Sequence, residues 1–330
     1  MSNIRHLTIS TGSNSIGGFK TLPPSFEIGD QQYRLEFGSP YRAIIDSIYQ
    51  VNSDLEVEVY LQNTGKHYYN EIMNSVVFYR RNKVIQALEL HQYFFNKEGP
   101  KYANYHELKT YATSEGGGIP RAISNNGKYI LKPIGGARSL GLIIVDTNVI
   151  PIDNLNKIWS VAKDKYTSEL SENESSRTGY VEELMNKLKV QYIQGDEFRA
   201  DEAAENILTQ PYLVQEFNPF DDVVEFRAYR FDGRCIIYNR EDLPVDYVGY
   251  STVVTRGQCP ILSEIESALT DPEFPGFFGS VDIWYSKSAA KWGIYEYQPE
   301  FDCSNIPNQE MQDFMKQFVH YLFEYAEANK

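Results

Sequence analysis

The stretch Tyr129-Ile-Leu-Lys-Pro-Ile-Gly-Gly-Ala-Arg-Ser-Leu-Gly-Leu-Ile-Ile-Val-Asp146 decides how the chain is read. Two short apolar runs, Tyr129 to Leu131 and Leu142 to Val145, are rich in β-formers and bracket Gly135, Gly136 and Gly141. The pattern predicts strand, glycine loop, strand. Glycine lets the backbone turn through positive φ and come close to another group. Lys132 stands at the end of the first strand, and Arg138 and Ser139 lie within the loop. Backbone amides beside an ammonium suit a polyphosphate. The plainer reading is a β-hairpin with a glycine turn, and the stretch alone does not separate the two.

Downstream, Tyr212-Leu-Val-Gln-Glu-Phe217 predicts a strand running into Asn218-Pro219. Glu225 to Phe231 and Arg234 to Asn239 are two further strands joined by Asp232-Gly233, a tight-hairpin signal. Gly279 to Tyr285 and Trp292 to Tyr297 flank a polar turn, Ser286 to Lys291, and form another such pair. This pair is the most chemical part of the chain. Asp282 and Glu296 fall on adjacent antiparallel strands, where facing residues have Cβ atoms about 5 Å apart. Glu296 and Gln298 share a face, because side chains alternate with period two. Two carboxylates and an amide oxygen are hard oxygen ligands of the kind Mg²⁺ takes beside phosphate. Without a cation, carboxylates this close repel. The plainer reading is solvated acids on a sheet surface in a chain with 45 acidic residues. Beyond them, Met311, Phe314, Met315, Phe318, Val319, Leu322 and Phe323 follow helical spacing and read as core packing, with His320 structural or exposed.

Upstream, residues 1–35 are polar and glycine-rich and read as an arm or loops. Tyr41 to Tyr49 predicts a short helix, and Leu55 to Leu61 and Val76 to Tyr79 predict strands. Residues 40–100 thus suggest a small α/β domain. Pro100 to Thr113 predicts a helix stopped by Gly116-Gly-Gly118. Helices are also expected at Asn154 to Asp164, Tyr180 to Val190 and Ala200 to Leu208, with a polar loop from Ser168 to Thr178. So long an excursion between two sheet segments is usually functional or disordered. No internal repeat is visible.

Composition narrows the class. The 330 residues are 42% hydrophobic and 23% charged, as in a soluble globular protein with a sizeable core. A net charge of −14 argues against general nucleic-acid binding, which needs a basic footprint. Three cysteines (Cys235, Cys259, Cys303), an odd number in wide spacing with no CxxC, argue against a disulfide framework or a zinc site and make a reducing cytoplasm the default. The five histidines form no HxxxH or HExxH pair. The N-terminus lacks the apolar segment of a signal peptide. No run approaches the ~18 apolar residues of a membrane span.

Taken in order, the pieces resemble the ATP-grasp superfamily, and within it the branch of ribosomal-protein glutamate ligase and glutathione synthetase. They are Ile130-Leu-Lys-Pro-Ile-Gly-Gly-Ala-Arg-Ser-Leu-Gly141, Leu213-Val-Gln-Glu-Phe217, Glu225-Phe-Arg227 with Asp232-Gly233, Val281-Asp282 and Glu296-Tyr-Gln298. The resemblance covers residues 95–325. Each motif is weak singly; the ordered set is specific. It implies an α+β ATP-grasp fold, two α+β subdomains clamping ATP between antiparallel sheets. A small α/β N-terminal domain with a polar arm would occupy residues 1–95. The ATP-grasp domain would occupy 96–330, with a helical insertion at 146–211.

The resemblance also implies roles. Lys132 would contact the α- and β-phosphates of ATP, and the loop with Gly135, Gly136 and Ser139 would close over the β- and γ-phosphates. Gln215, Glu216 and Phe217 would form a hinge reading the adenine edge, largely through backbone groups. Glu225 would bind the ribose. Arg227 would assist the phosphates or an acyl intermediate, and Arg256 would position the substrate carboxylate. Asp282, Glu296 and Gln298 would hold Mg²⁺. Three departures stand out. Gln298 replaces the usual Asn, which puts metal number and geometry in doubt. The upstream lysine is either Lys101 or Lys109, with Lys101 preferred. The segment between Gly141 and Gln215 is longer than the family minimum.

The implied reaction is ATP-dependent ligation of a small-molecule or peptide carboxylate to an amine or thiol through an acyl phosphate. Cytoplasmic location, no membrane and a homodimer are the accompanying expectations. The alternatives are a small-molecule kinase on the same fold, whose acceptor phosphates would need Arg121, Arg138, Arg227, Arg240 and Arg256 to converge, and a non-catalytic ATP-binding regulator. A covalent nucleotidyltransferase is disfavoured, because no Lys-x-Asp-Gly motif occurs.

Overall fold

The computed structural model describes residues 4–11, 22–38, 47–52, 56–61, 83–96, 99–113, 123, 127–133, 143–169, 191–192, 212–242, 248–275, 278–298 and 309–328. The chain divides into two compact units, residues 1–106 with 222–330, and residues 107–221. The first unit joins both ends of the chain, so the expected division between residues 95 and 96 falls inside it.

The chain opens with β1 (Ile4–Thr11), β2 (Ser25–Ile28), β3 (Gln31–Gly38), β4 (Ser47–Asn52) and β5 (Glu56–Leu61). They form one sheet in the order β2-β3-β1-β4-β5. β1 runs parallel to β3, and the other neighbours are antiparallel. This corrects the reading of residues 1–35 as an arm or loops. Tyr33 and Leu35 are buried on either side of exposed Arg34, the alternation of a half-exposed strand. The helix expected over Tyr41 to Tyr49 is also corrected where it is described, since Ser47 to Tyr49 belong to β4 and pair with β1. The expected strand Leu55 to Leu61 is β5. Val76 to Tyr79 lies outside the described residues.

Next come α1 (Lys83–Phe94) and a two-stranded ribbon of β6 (Phe95–Asn96) and β7 (Gly99–Pro100). α1 is absent from the sequence reading. Its buried positions Gln86, Leu90 and Phe94 recur every four residues, but a glutamine heads the stripe. The helix expected over Pro100 to Thr113 does not form. Turns occupy its first half and β8 (Thr110–Ala112) its last. Aromatic packing overrides the local preference there. Tyr105 stacks on Phe94 with ring centroids 3.6 Å apart, and both lie edge-on to Trp292. The backbone locks the same contact, as Trp292 N–H donates to Asn104 O and His106 N–H to Trp292 O.

The unit of residues 107–221 holds β8, β9 (Lys128–Pro133), β10 (Ile143–Asp146), α2 (Ile152–Glu169), β11 (Gln191–Tyr192) and β12 (Tyr212–Glu216). Its sheet order is β11-β10-β9-β12-β8, antiparallel throughout. The strand pair read from the opening stretch is present, with Ile143 opposite Leu131. The loop residues Gly135 to Gly141 lie outside the described residues, as do Tyr180 to Val190 and Ala200 to Leu208. Leu131, Val214, Tyr212 and Ile143 are wholly buried on one face. Lys132 and Gln215 lie on the other.

The remaining sheet comprises β13 (Val223–Phe231), β14 (Arg234–Asp242), β15 (Val248–Val253), β16 (Phe278–Ser286) and β17 (Lys291–Gln298), with α3 (Leu262–Thr270) between β15 and β16. Its order is β15-β14-β13-β16-β17, all antiparallel. Asp232 and Gly233 have φ of 43° and 67°, the left-handed pair that a two-residue hairpin requires. One face of the sheet presents Phe226, Ala228, Ile237, Val281, Ile283 and Ile294 to a core shared with Leu262, Ile265 and Leu269 of α3 and Leu90 and Phe94 of α1. Period-two alternation puts Glu225, Arg227, Asp282 and Glu296 on the opposite face.

The chain closes with α4 (Gln309–Ala328). Its buried Met311, Met315, Phe318, Val319, Leu322 and Phe323 are the stripe read from the sequence. Phe318 packs on Phe231 and Phe278, while Tyr33 O–H lies 2.5 Å from His320 Nδ1. His320 is therefore structural. No helix among the described residues is long and apolar enough to cross a membrane.

Candidate functional site

In the unit of residues 107–221, β9 is the central strand of the sheet, between β10 and β12. Lys132 sits near its end, opposite Leu213 of β12, and Gln215 is opposite Ile130. Lys132 and Gln215 therefore share a face, each only 7% exposed. Gln215 Nε2 donates to Thr110 Oγ1 at 3.2 Å, and Thr110 Oγ1 donates to Leu108 O at 2.9 Å. Gln215 Oε1 is buried and has no partner among the described residues. A buried acceptor left without a donor costs about 1–3 kcal/mol, so a donor is expected to reach it.

The hinge differs from the expectation in one respect. The Glu216 N–H donates to Lys109 O at 2.8 Å, and the Phe217 N–H to Lys128 O at 2.9 Å. Both backbone donors are committed within the unit, while the Gln215 amide oxygen is a buried acceptor without a partner among the described residues. The two upstream lysines also separate. Lys109 lies beside the hinge: its carbonyl accepts from Glu216, and its N–H donates to Glu216 Oε2 at 3.4 Å. Lys101 belongs to the other unit. Its ammonium is 2.6 Å from Asp271 Oδ2, 3.4 Å from Glu273 Oε2 and 4.2 Å from the centre of the Tyr93 ring. Burial pushes the Asp271 carboxyl up, but hydrogen bonds from Lys101, the Glu273 N–H and Tyr93 outweigh it and hold the group below the usual carboxylate range. Lys101 thus serves a structural cluster.

On the β13–β16–β17 sheet the charged groups form a row. Arg227 is directly opposite Asp282, and Asp282 directly opposite Glu296. Arg227 grips Asp282 with two hydrogen bonds, Nε to Oδ1 at 2.7 Å and Nη2 to Oδ2 at 2.9 Å. Glu296 Oε2 is 3.2 Å from Lys83 Nζ, which reaches it from the first residue of α1. Glu225 is ion-paired with Arg240 of β14. The two facing carboxylates are thus each compensated by a protein cation. Lys83 was missed because α1 itself was missed.

Gln298 ends β17 opposite Ser280, two residues beyond Glu296 along the strand. Arg256 is exposed in the turn between β15 and α3. Gly135, Gly136 and Ser139 lie outside the described residues. Among the described residues no group of three or more His, Cys, Asp or Glu side chains is gathered as a metal site. Asp282 and Glu296 nevertheless fit a hard divalent ion, since each carboxylate oxygen carries a second lone pair. Arg227 and Lys83 would be its competitors. Cys235 and Cys259 are not poised as thiolates, because burial pushes the Cys235 thiol up to about 12 and the Cys259 thiol up to about 11.

No family model and no curated protein matches the chain. Among solved structures it is similar to a D-alanine–D-alanine ligase from Bacillus anthracis complexed with ATP, at 8% identity and a TM-score of 0.45, over 78% of this chain and 71% of that one. It is also similar to the ATP-grasp ligase PsnB with a minimal precursor, at 11% identity and a TM-score of 0.37, over 73% and 61% of the two chains. A third is an L-amino acid ligase from Bacillus licheniformis, at 12% identity and a TM-score of 0.32, over 68% and 41%. All three lie below a TM-score of 0.5, so the function rests on the chain's own residues.

Proposed function

We propose that the chain is an ATP-dependent ligase of the ATP-grasp type, joining a carboxylate to an amine or thiol through an acyl phosphate. The observation that carries this reading is the row Arg227–Asp282–Glu296, in register across three strands. Local pattern already sets Asp282 against Glu296, whereas the facing of Arg227 and Asp282 depends on pairing between segments distant in sequence. The buried face shared by Lys132 and Gln215, with the orphan Gln215 oxygen beside the hinge, supports a nucleotide in the other unit.

In this reading Lys132 neutralises phosphate charge and Gln215 Oε1 accepts from the exocyclic amine of adenine. Glu216 and Phe217 shape the hinge, with Lys109 the upstream lysine. By the resemblance Glu225 would contact the ribose in place of Arg240, and Gly135, Gly136 and Ser139 would cover the terminal phosphates. Mg²⁺ would be held by Asp282 and Glu296, with Gln298, and when bound neutralises phosphate charge. An oxygen of the substrate carboxylate bonds to the γ-phosphorus as the bond to the β-phosphate oxygen breaks, leaving ADP. The amine nitrogen or thiol sulfur then attacks the acyl carbon. Phosphate leaves with the bonding pair, and the proton of the nucleophile passes to solvent. The protein's part is positioning and charge stabilisation. Arg227 turns toward the acyl phosphate, and Arg256 binds the free carboxylate. The substrates are small molecules or peptides, the setting is cytoplasmic and the assembly a homodimer.

A second reading, a non-catalytic nucleotide sensor, is favoured by one observation: both metal carboxylates already carry protein cations. Product analysis separates the two. Purified protein with ATP, Mg²⁺ and a panel of amino acids and short peptides should release ADP and phosphate only when a substrate pair is present. Nucleotide binding without ADP release across the panel would leave the sensor, and a phosphorylated acceptor would make it a kinase.

A further inference from the structure

Lys83 has no place in the expected machinery, yet it touches its centre. It is the first residue of α1, where the helix dipole is positive and a cation is disfavoured. Its side chain is only 14% exposed, a depth at which lysine requires a partner. The partner is Glu296, whose Oε2 lies 3.2 Å from the ammonium. The helix is anchored beside β17. The Tyr297 hydroxyl donates to Glu89 on α1, and Leu90 and Phe94 enter the core that also holds Tyr297 and Ile294. Lys83 is therefore delivered to Glu296 by a fixed element, not by a wandering surface chain.

We propose that Lys83 is a resident counter-ion of the carboxylate pair. Its ammonium holds Glu296 while no divalent ion is bound, and an ion can take Glu296 only by displacing it. The inference rests on the reading of Asp282 and Glu296 as metal ligands. Arg227 already compensates Asp282, so with Lys83 in place the two carboxylates are matched by two cations among the described residues. A free divalent ion then meets a site with little net charge and a positive group in its way. A divalent ion should accordingly bind poorly while Lys83 holds Glu296.

Mn²⁺ binding to the full chain without nucleotide, followed by electron paramagnetic resonance, tests this directly. Wild type should bind Mn²⁺ weakly. Lys83→Met should bind it about tenfold more tightly, as removal of a like charge next to the ion allows. Lys83→Gln serves as a second neutral variant should the methionine not fold. Lys83→Arg, which keeps the charge, should behave as wild type. Asp282→Asn in the Lys83→Met background should abolish the gain. Unchanged or weaker Mn²⁺ binding in both neutral variants, with Asp282→Asn still lowering it, would overturn the counter-ion while leaving the metal site. Mn²⁺ binding that ignores Asp282→Asn in every background, or is absent from all variants, would overturn both.

Discussion

The two faces that carry candidate chemistry are built on opposite plans. On the β13–β16–β17 sheet every described carboxylate of the row has a cation of its own: Asp282 has Arg227, Glu296 has Lys83 and Glu225 has Arg240. On the β9–β12 face a buried acceptor, the Gln215 amide oxygen, is unmet among the described residues. A satisfied row is stable without ligand and must exchange partners to bind one. An unmet acceptor is a standing cost that a ligand relieves. The first plan sets binding as competition, the second as completion.

The largest expected effect breaks the nucleotide side. Lys132→Ala should lower ATP affinity about 100-fold in calorimetric titration, the loss that follows removal of a buried charged partner. Unchanged affinity would remove Lys132 from the site. On the satisfied side, Arg227→Met should strand Asp282. Its pair is 15% and 17% exposed, so a loss of about 2 kcal/mol in denaturant unfolding is expected after discounting for solvent. Gln215→Leu sharpens the contrast, because its two effects have opposite signs. ATP should bind about tenfold more weakly, while the unliganded protein should gain up to about 1 kcal/mol from loss of the orphan. A matching loss of stability would show that the oxygen has a partner after all.

The smallest effect separates the two lysines. Lys101→Met should leave ATP affinity alone and cost no more than about 1 kcal/mol, as a partly exposed ion pair does. It should also flatten the acid limb of stability. Asp271 is held below the usual carboxylate range in the folded state. Its contribution is therefore complete above the unfolded value, about 3.9, and fades as pH falls through the lower folded value. In the variant that fading should be reduced, which acid titration of unfolding reads directly.

The strands that carry the site were legible because each is a local pattern closed by a local signal. Asp232-Gly233 names its own hairpin, and the facing of Asp282 and Glu296 follows from one short turn. The stripe of α4 was legible for the same reason. What escaped depends on contacts distant in sequence. Pro100 to Thr113 reads as helix until Phe94 and Trp292 claim Tyr105. β1 to β3 read as loops because their polar residues alternate with few apolar ones, and a parallel β1–β3 pair leaves no hairpin signature. α1 was hidden by a glutamine at a buried position. That one omission concealed Lys83, and with it the compensation of Glu296. The commitment of the Glu216 and Phe217 N–H groups was equally invisible, since both acceptors, Lys109 O and Lys128 O, are backbone atoms of other segments.

The first unit is built from the two ends of the chain, tied by Arg5 to Glu324 and by Tyr33 to His320, while the second is a single interior stretch. On the ribosome this imposes an order. The interior unit can close as soon as residue 221 has emerged, but the N-terminal strands must wait for α4, the last element described. Until then Tyr33 lacks the helix that covers it, and its ring stays open to unwanted association.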